Sequence, residues 1–284
     1  MNKFVKVSLI TAGILLAIGC VLGMISSIAG KHIFFRLKDD LVSFADRAAG
    51  GKTYQVPAEG INNMELKLGA GTFIISEKEE ADGMIDITVS GKGRFDYQTK
   101  KDTLFVEGFK GQKWGIWNEA NDNLVTIYVP KGSRFHEVEL ETGASLVDII
   151  TVKIDKLDAA VGAGELFISN MEIEDISVEI GAGKLEAENV SAKEAEFNVG
   201  VGECSYSGAI TGKLDLECGM GNVDFMLKGR ETDHDYEIEC NMGNIDVGSY
   251  SATALASEKR INNNARSKFD IACNMGNVSI QFED

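Results

Sequence analysis

The chain has 284 residues, 44% apolar and 25% charged, which is ordinary for a globular protein and excludes wholesale disorder. Its net charge is −16, and residues 51–284 alone hold 22 basic against 41 acidic residues, leaving −19, so nucleic acid and anionic lipid are poor partners for that part. Two prolines against 31 glycines, with short alternating runs of Val, Ile, Thr and Phe, favour strands and predict an all-β body.

Residues 7–30 (VSLITAGILLAIGCVLGMISSIAG) carry no charge. At ~1.5 Å per residue they reach roughly 36 Å, enough for a transmembrane helix. LAIGC, ending at Cys20, loosely fits a lipoprotein cleavage box, but the apolar run continues past it. The basic residues on either side nearly balance; the short amino terminus and acidic remainder favour an N-inside, C-outside orientation. Residues 31–53 follow as a juxtamembrane amphipathic segment and linker, with Phe34, Leu37, Leu41 and Phe44 on one helical face.

The next block, 54–142, reads as a first coil and a cap. LGAGTFII places a G-x-G signature at Gly69, and the longer alternating runs across 84–140 predict an antiparallel or wide-coil cap at the membrane-proximal end. Both tryptophans, Trp114 and Trp117, lie with Phe105 and Phe109 in a glycine-containing stretch that could either anchor a partner or pack on the cap.

From 143 to 284 the chain repeats. The signature recurs at Gly143, Gly162, Gly181, Gly200 and Gly219, 19 residues apart, then at Asn241 and Asn274. From Gly162 the apolar residues are Leu166, Ile168, Met171, Ile173, Ile176, Val178 and Ile180, two apart within a run and three apart between runs. Spacing of two is a strand with one buried face, and each jump of three turns a corner while keeping the next side chain inward. Three strands per 19 residues make one coil that cannot bury its inner row alone, so coils stack about 4.8 Å apart. The expected fold is a β-solenoid, similar to a parallel β-helix, with coils stacked in chain order and 248–267 as a polar loop before the last.

Dinucleotide fingerprints need a third glycine and a helix, and phosphate loops need Gly-Lys-Ser/Thr; GAGELFIS, GAGKLEAE and GMGNVDFM have neither. Replacement of the first glycine by Asn241 and Asn274 suggests a left-handed backbone at that position. Asn222, Asn244 and Asn277 should stack as an amide ladder. Cys204, Cys218, Cys240 and Cys273 occupy aliphatic offsets and read as buried free thiols, since in-register Cβ atoms about 4.8 Å apart exceed the ~3.8 Å a disulfide prefers.

Four residues before each signature stand Glu65, Glu139, Asp158, Ser177, Glu196, Asp215, Glu237 and Asp270, with Glu141, Glu179, Glu217 and Glu239 two positions on. In-register stacking makes these an acidic stripe, either a solvated face or a surface for divalent cations or cationic peptides. His32, His136 and His234 are the only histidines, and no Gly-x-Ser-x-Gly, His-Glu-x-x-His or Cys-x-x-Cys occurs. Neither catalysis nor a cofactor is expected.

The amino-terminal span, NLVTIYVPKGSRFHEVELETGAS at 123–145 and serial G-x-G strands ending in CNMGNVSIQF together resemble the bacterial "putative adhesin" family of β-strand-repeat envelope proteins, a domain of unknown function. The resemblance covers about 55–284, implies surface location and binding, and supplies no catalytic signature; the cysteine row departs from it. The expectation is a membrane-anchored, extracytoplasmic adhesive or scaffolding module acting by multivalent contact with a surface glycan, cationic peptide or envelope protein, or with itself. The alternatives are a solenoid that binds or cleaves envelope polysaccharide, and a cytoplasm-facing polymerising scaffold similar to bactofilins.

Overall fold

The computed structural model describes residues 51–80, 82–109 and 123–283. The apolar run 7–30 with Cys20, the segment 31–50, and Trp114 and Trp117 lie outside them. Among the described residues no helix is long and apolar enough to cross a membrane.

The described chain is all-β. Its strands are β1 (Lys52–Pro57), β2 (Asn63–Leu68), β3 (Gly71–Lys78), β4 (Met84–Ser90), β5 (Phe95–Lys100), β6 (Thr103–Gly108), β7 (Leu124–Pro130), β8 (Arg134–Ile150), β9 (Lys153–Lys228), β10 (His234–Val247), β11 (Tyr250–Ile261) and β12 (Ser267–Glu283). β9 runs unbroken for 76 residues because the pairing between stacked layers continues through the corners of the coil. Residues 19 apart stack within it: the Asn189 amide donates to Asn170 Oδ1 at 3.0 Å, and Thr211 Oγ1 to the Ala192 carbonyl at 3.5 Å. The inward rows form the core, with Leu166, Ile168, Ile176, Ile180, Leu185 and Val190 fully buried. Phe197, Tyr206 and Phe225 pack ring to ring in it at 5.5–5.7 Å, and the Tyr206 hydroxyl is satisfied by the Val190 carbonyl at 2.8 Å.

At the amino-terminal end, β2 and β3 form a layer under β8, in parallel. Beneath them lie β6 and β7, also parallel to that layer, and then β5 and β4 run antiparallel to these two, with β1 antiparallel on β4. The antiparallel part of the cap is therefore narrower than the alternating sequence suggested, and β8 already belongs to the coil.

The carboxy-terminal end departs from chain order. β12 pairs in parallel with the last turn of β9 on one side and with β10 on the other, so the final strand lies inside the stack. The stacking order along the cysteine row is Cys218, Cys273, Cys240. The three phrases CGMGNVDF, CNMGNIDV and CNMGNVSI share one inward pattern, so any order satisfies the core. The outer face distinguishes them: Ala272 separates Glu217 from Glu239, which chain-order stacking would set side by side. The supposed polar loop is also corrected, since 250–261 form β11, an antiparallel strand that covers β10.

The corners correct the reading of the first glycine. Neither those glycines nor Asn241 and Asn274 have left-handed backbone. The second glycine does: Gly164, Gly183, Gly202, Gly221, Gly243 and Gly276 have φ between +130° and +155°, and a Cβ on any of them would lie 1.7–1.8 Å from a carbonyl oxygen of the adjacent layer. Stacked corners approach too closely there for a side chain. Left-handed asparagine does occur at a different corner, Asn170 (φ 56°) and Asn189 (φ 53°), preceded 19 residues earlier by Thr151 (φ 55°).

Candidate functional site

The acidic stripe assembles on the outer face as the spacing requires. Glu65 faces Glu139, Glu139 faces Asp158, Asp215 faces Asp270 and Asp270 faces Glu237, with Ser177 and Glu196 in the intervening turns of β9. Repulsion along such a column is partly relieved by cations of the same face. Lys67 pairs with Glu65, Lys213 with Asp215 at 3.0 Å, and Arg260 with Glu237. The Glu65 and Asp215 carboxylates hold Lys67 and Lys213, respectively, above the ordinary lysine value through hydrogen bonding and charge. A neighbouring column repeats this pairing, Lys156 to Glu137 at 2.7 Å.

At the β10–β11 end, carboxylate oxygens of Glu237, Glu239 and Glu258 lie within 4.8 Å of one another, an arrangement a divalent cation could bridge. The Arg260 guanidinium already contacts Glu237 and reaches Glu258 at 3.4 Å, so this cluster is countered by a fixed charge. The remaining stripe residues, Glu139, Asp158, Glu196, Asp215 and Asp270, form a line and not a cage.

The aromatic candidates divide. Phe109 is 2% exposed and belongs to the core, so its ring is not available to a partner. Phe105 is half-buried on the outer face opposite Glu65, with Lys100 Nζ 5.4 Å from its ring centre. Trp114 and Trp117 lie outside the described residues.

Two further groups were not legible in the sequence. Arg134, His136 and Asp155 meet in a shallow depression with Asn62, Asn63 and Asp102, where the Asp155 carboxylate contacts Arg134 at 2.5 Å and His136 at 3.6 Å. Their offsets differ from turn to turn, so no repeat signals them. Asp148 points outward between Thr126 and Ile74 on one side and Phe167 on the other, yet is only 5% exposed, and burial raises its carboxyl to about 6. Alternation alone assigns it to solvent.

His234 and Ser267 form the one histidine–serine pair among the described residues, with Nδ1 to Oγ at 2.7 Å. Ser267 Oγ donates to the Gly212 carbonyl at 2.5 Å, so the imidazole Nδ1–H donates to the serine. Both residues are buried, and burial lowers the His234 pKa. The pair pins the start of β12 between its two neighbouring layers and presents no nucleophile to a substrate.

A stacked all-β coil with a charged repetitive outer face defines the class: a solenoid-like repeat protein. The family model described as Toastrack DUF4097 matches residues 61–257, and the chain belongs to that family. This is the family of "putative adhesin" domains that the 123–145 stretch and the G-x-G strands resemble. Among solved structures, a "putative cell adhesion protein" from Clostridium sporogenes aligns at 13% identity over 82% of this chain and 100% of that one, with a TM-score of 0.37. A "putative adhesin" from Bacteroides fragilis aligns at 13% identity, 82% and 97% coverage and 0.36, and a "putative lipid binding protein" from Parabacteroides distasonis at 12%, 82%, 97% and 0.29. No curated protein matches the sequence.

Proposed function

We propose that this protein is a non-catalytic binding module of a bacterial envelope, anchored by residues 7–30 with the solenoid on the extracytoplasmic side, and that it engages cationic partners along the acidic stripe. The observation that carries the reading is the register: carboxylates recur at one outer position from Glu65 through Glu139, Asp158, Glu196, Asp215 and Asp270 to Glu237. Each site is a single carboxylate, exposed at Glu139, Asp158 and Glu196 and half-exposed at the others, and weak alone. A row at strand spacing lets one extended polycation engage many at once, so avidity grows with ligand length.

The test is binding of hexalysine and dodecalysine to the full chain at low and physiological salt. Binding should tighten by more than tenfold from the shorter to the longer peptide, weaken with salt, and vanish when Asp158, Glu196, Asp215 and Asp270 become Asn or Gln. Equal affinity for both peptides would sink the array reading. For the membrane side, an impermeant thiol reagent should label a Glu194→Cys variant in intact cells, because Glu194 is exposed.

A further inference from the structure

The cysteine row is the one inward column whose chemistry neither the fold nor the stripe uses. Cys218, Cys273 and Cys240 occupy consecutive rungs of a single ladder and are 1–2% exposed. The same column holds Val161, Ile180 and Val199 in earlier turns, so aliphatic side chains would serve packing equally well. All three thiols are free. Their titrations are linked: the neighbouring Cys273 thiol holds Cys218 below the ordinary thiol value, while Cys218 and burial push Cys273 up and burial pushes Cys240 up. The backbone N–H groups of Met275 and Met242 offset only part of the rise at Cys273 and Cys240, so both thiols keep their protons until a cation displaces them.

Directly outside the same corner stands a second sulfur row. Met220 faces Met275, and Met275 faces Met242. Met242 and Met275 are 49% and 43% exposed, the only large apolar side chains so exposed among the described residues, whereas earlier turns carry Ala144, Ala163, Ala182 and Val201 there. Three buried thiols and three thioethers thus flank one corner, across the three phrases that the fold interleaves.

We propose that the Cys218–Cys273–Cys240 row is a binding site for soft monovalent cations of the Cu(I) class, with the methionine row as its point of entry. Thiolate and thioether ligands select such ions. First-row thiolate bonds are about 2.3 Å, as for zinc, so two sulfurs on opposite sides of one ion lie about 4.6 Å apart, close to the ~4.8 Å rise between layers. A straight row provides two neighbours per interval, which suits a two-coordinate ion and denies zinc its tetrahedron. Two ions fit, one in each interval, bridged by Cys273. Binding is ligand exchange without change of oxidation state: three thiols lose three protons to solvent, two Cu(I) ions form four Cu–S bonds, and the bridged unit carries one negative charge.

The permuted stacking makes the test specific. Cys273 is last in sequence but central in space, and replacement by Val copies the earlier rungs. The full-length reduced protein is titrated anaerobically with Cu(I) against a chromogenic chelator, following ultraviolet thiolate-to-copper absorption and proton release. Two equivalents and three protons are expected. Cys273→Val should bind none, and Cys218→Val and Cys240→Val should each keep one. The double variant Cys218→Val/Cys240→Val, which leaves Cys273 in place, should also bind none, so the result does not depend on how well Cys273→Val folds. Wild-type uptake equal to that of the triple valine variant would overturn the proposal, as would a Cys240→Val variant that loses both equivalents while Cys273→Val keeps one.

Discussion

The two ends of the solenoid solve the same problem differently. At the amino-terminal end, β4 and β5 reverse direction and β1 adds outside β4, so the free edges are two short antiparallel strands, β1 with one buried side chain, Val56, and β5 with none. At the carboxy-terminal end β11 also reverses, but the last strand does not lie beneath it; it enters the stack one layer deeper. A blunt antiparallel edge discourages pairing with another chain in both cases. What separates them is sequence degeneracy: the amino-terminal strands are all different and hold one order, whereas three near-identical phrases permit several, and the outer-face charges and the His234–Ser267–Gly212 chain single out one.

The contrast can be broken by deletion. Removing 267–284 takes away Phe269, Ile271, Cys273, Val278 and Ile280, each buried and each worth roughly 1.5–3 kcal/mol. Loss of β10 protection in hydrogen exchange should follow, while deleting β1 should cost only about 2–3 kcal/mol by denaturant melting, the burial of Val56. Glycine substitutions sharpen the comparison at smaller scale. Gly276→Ala places a Cβ 1.8 Å from the Gly221 carbonyl at φ +147° and should destabilise by about 4 kcal/mol or more, whereas Gly83→Ala in the cap, at φ +74° with nothing within 4 Å, should cost about 1 kcal/mol.

Protonation should pull two buried groups in opposite directions. Asp148, raised to about 6 against about 3.9 unfolded, keeps its proton in the native state up to about pH 6. Stability from this group is therefore lost as pH rises from 4 to 6, and Asp148→Asn should gain about 2 kcal/mol at pH 7.5 and flatten that limb of the profile. His234 is lowered by burial, so its contribution is complete above about 6.5 and declines as pH falls below it. Hydrogen exchange at pH 5 should loosen β12 before it loosens β8. The smallest effect belongs to the outer face: Ala272→Glu, which sets three carboxylates in adjacent layers, should cost about 0.5–1 kcal/mol at low salt and much less in 1 M salt.

Much of this architecture is legible in the residues. The 19-residue interval and the two-and-three spacing from Leu166 to Ile180 specify a coil, its inward rows and the acidic column, because side-chain direction in a strand follows parity. The stacking order is not legible, since Cys218, Cys240 and Cys273 satisfy the same rung and inward parity cannot rank them. The corner glycine was misassigned for a related reason. Asn241 and Asn274 occupy a position that is not left-handed, although a Cβ on Gly181, Gly200 or Gly219 there would also lie 2.5–2.6 Å from the adjacent layer's carbonyl; the left-handed requirement falls two residues on, where the obstacle is again another layer's carbonyl and no local pattern reveals it. Asp148 escaped because outward parity ordinarily means water.

The interleaved end also bears on how the protein is made. A chain that emerges from a ribosome or a translocation channel amino-terminus first can wind β8 and β9 as it appears, each turn templating the next. β10 emerges earlier than β12 but must wait for it, because β12 is the strand that separates β10 from the final turn of β9. The seat beside that turn therefore stays open until β12 has been made. The order of synthesis and the order of stacking differ here, and a chain cut short before residue 267 displays an unfilled strand groove beside β9.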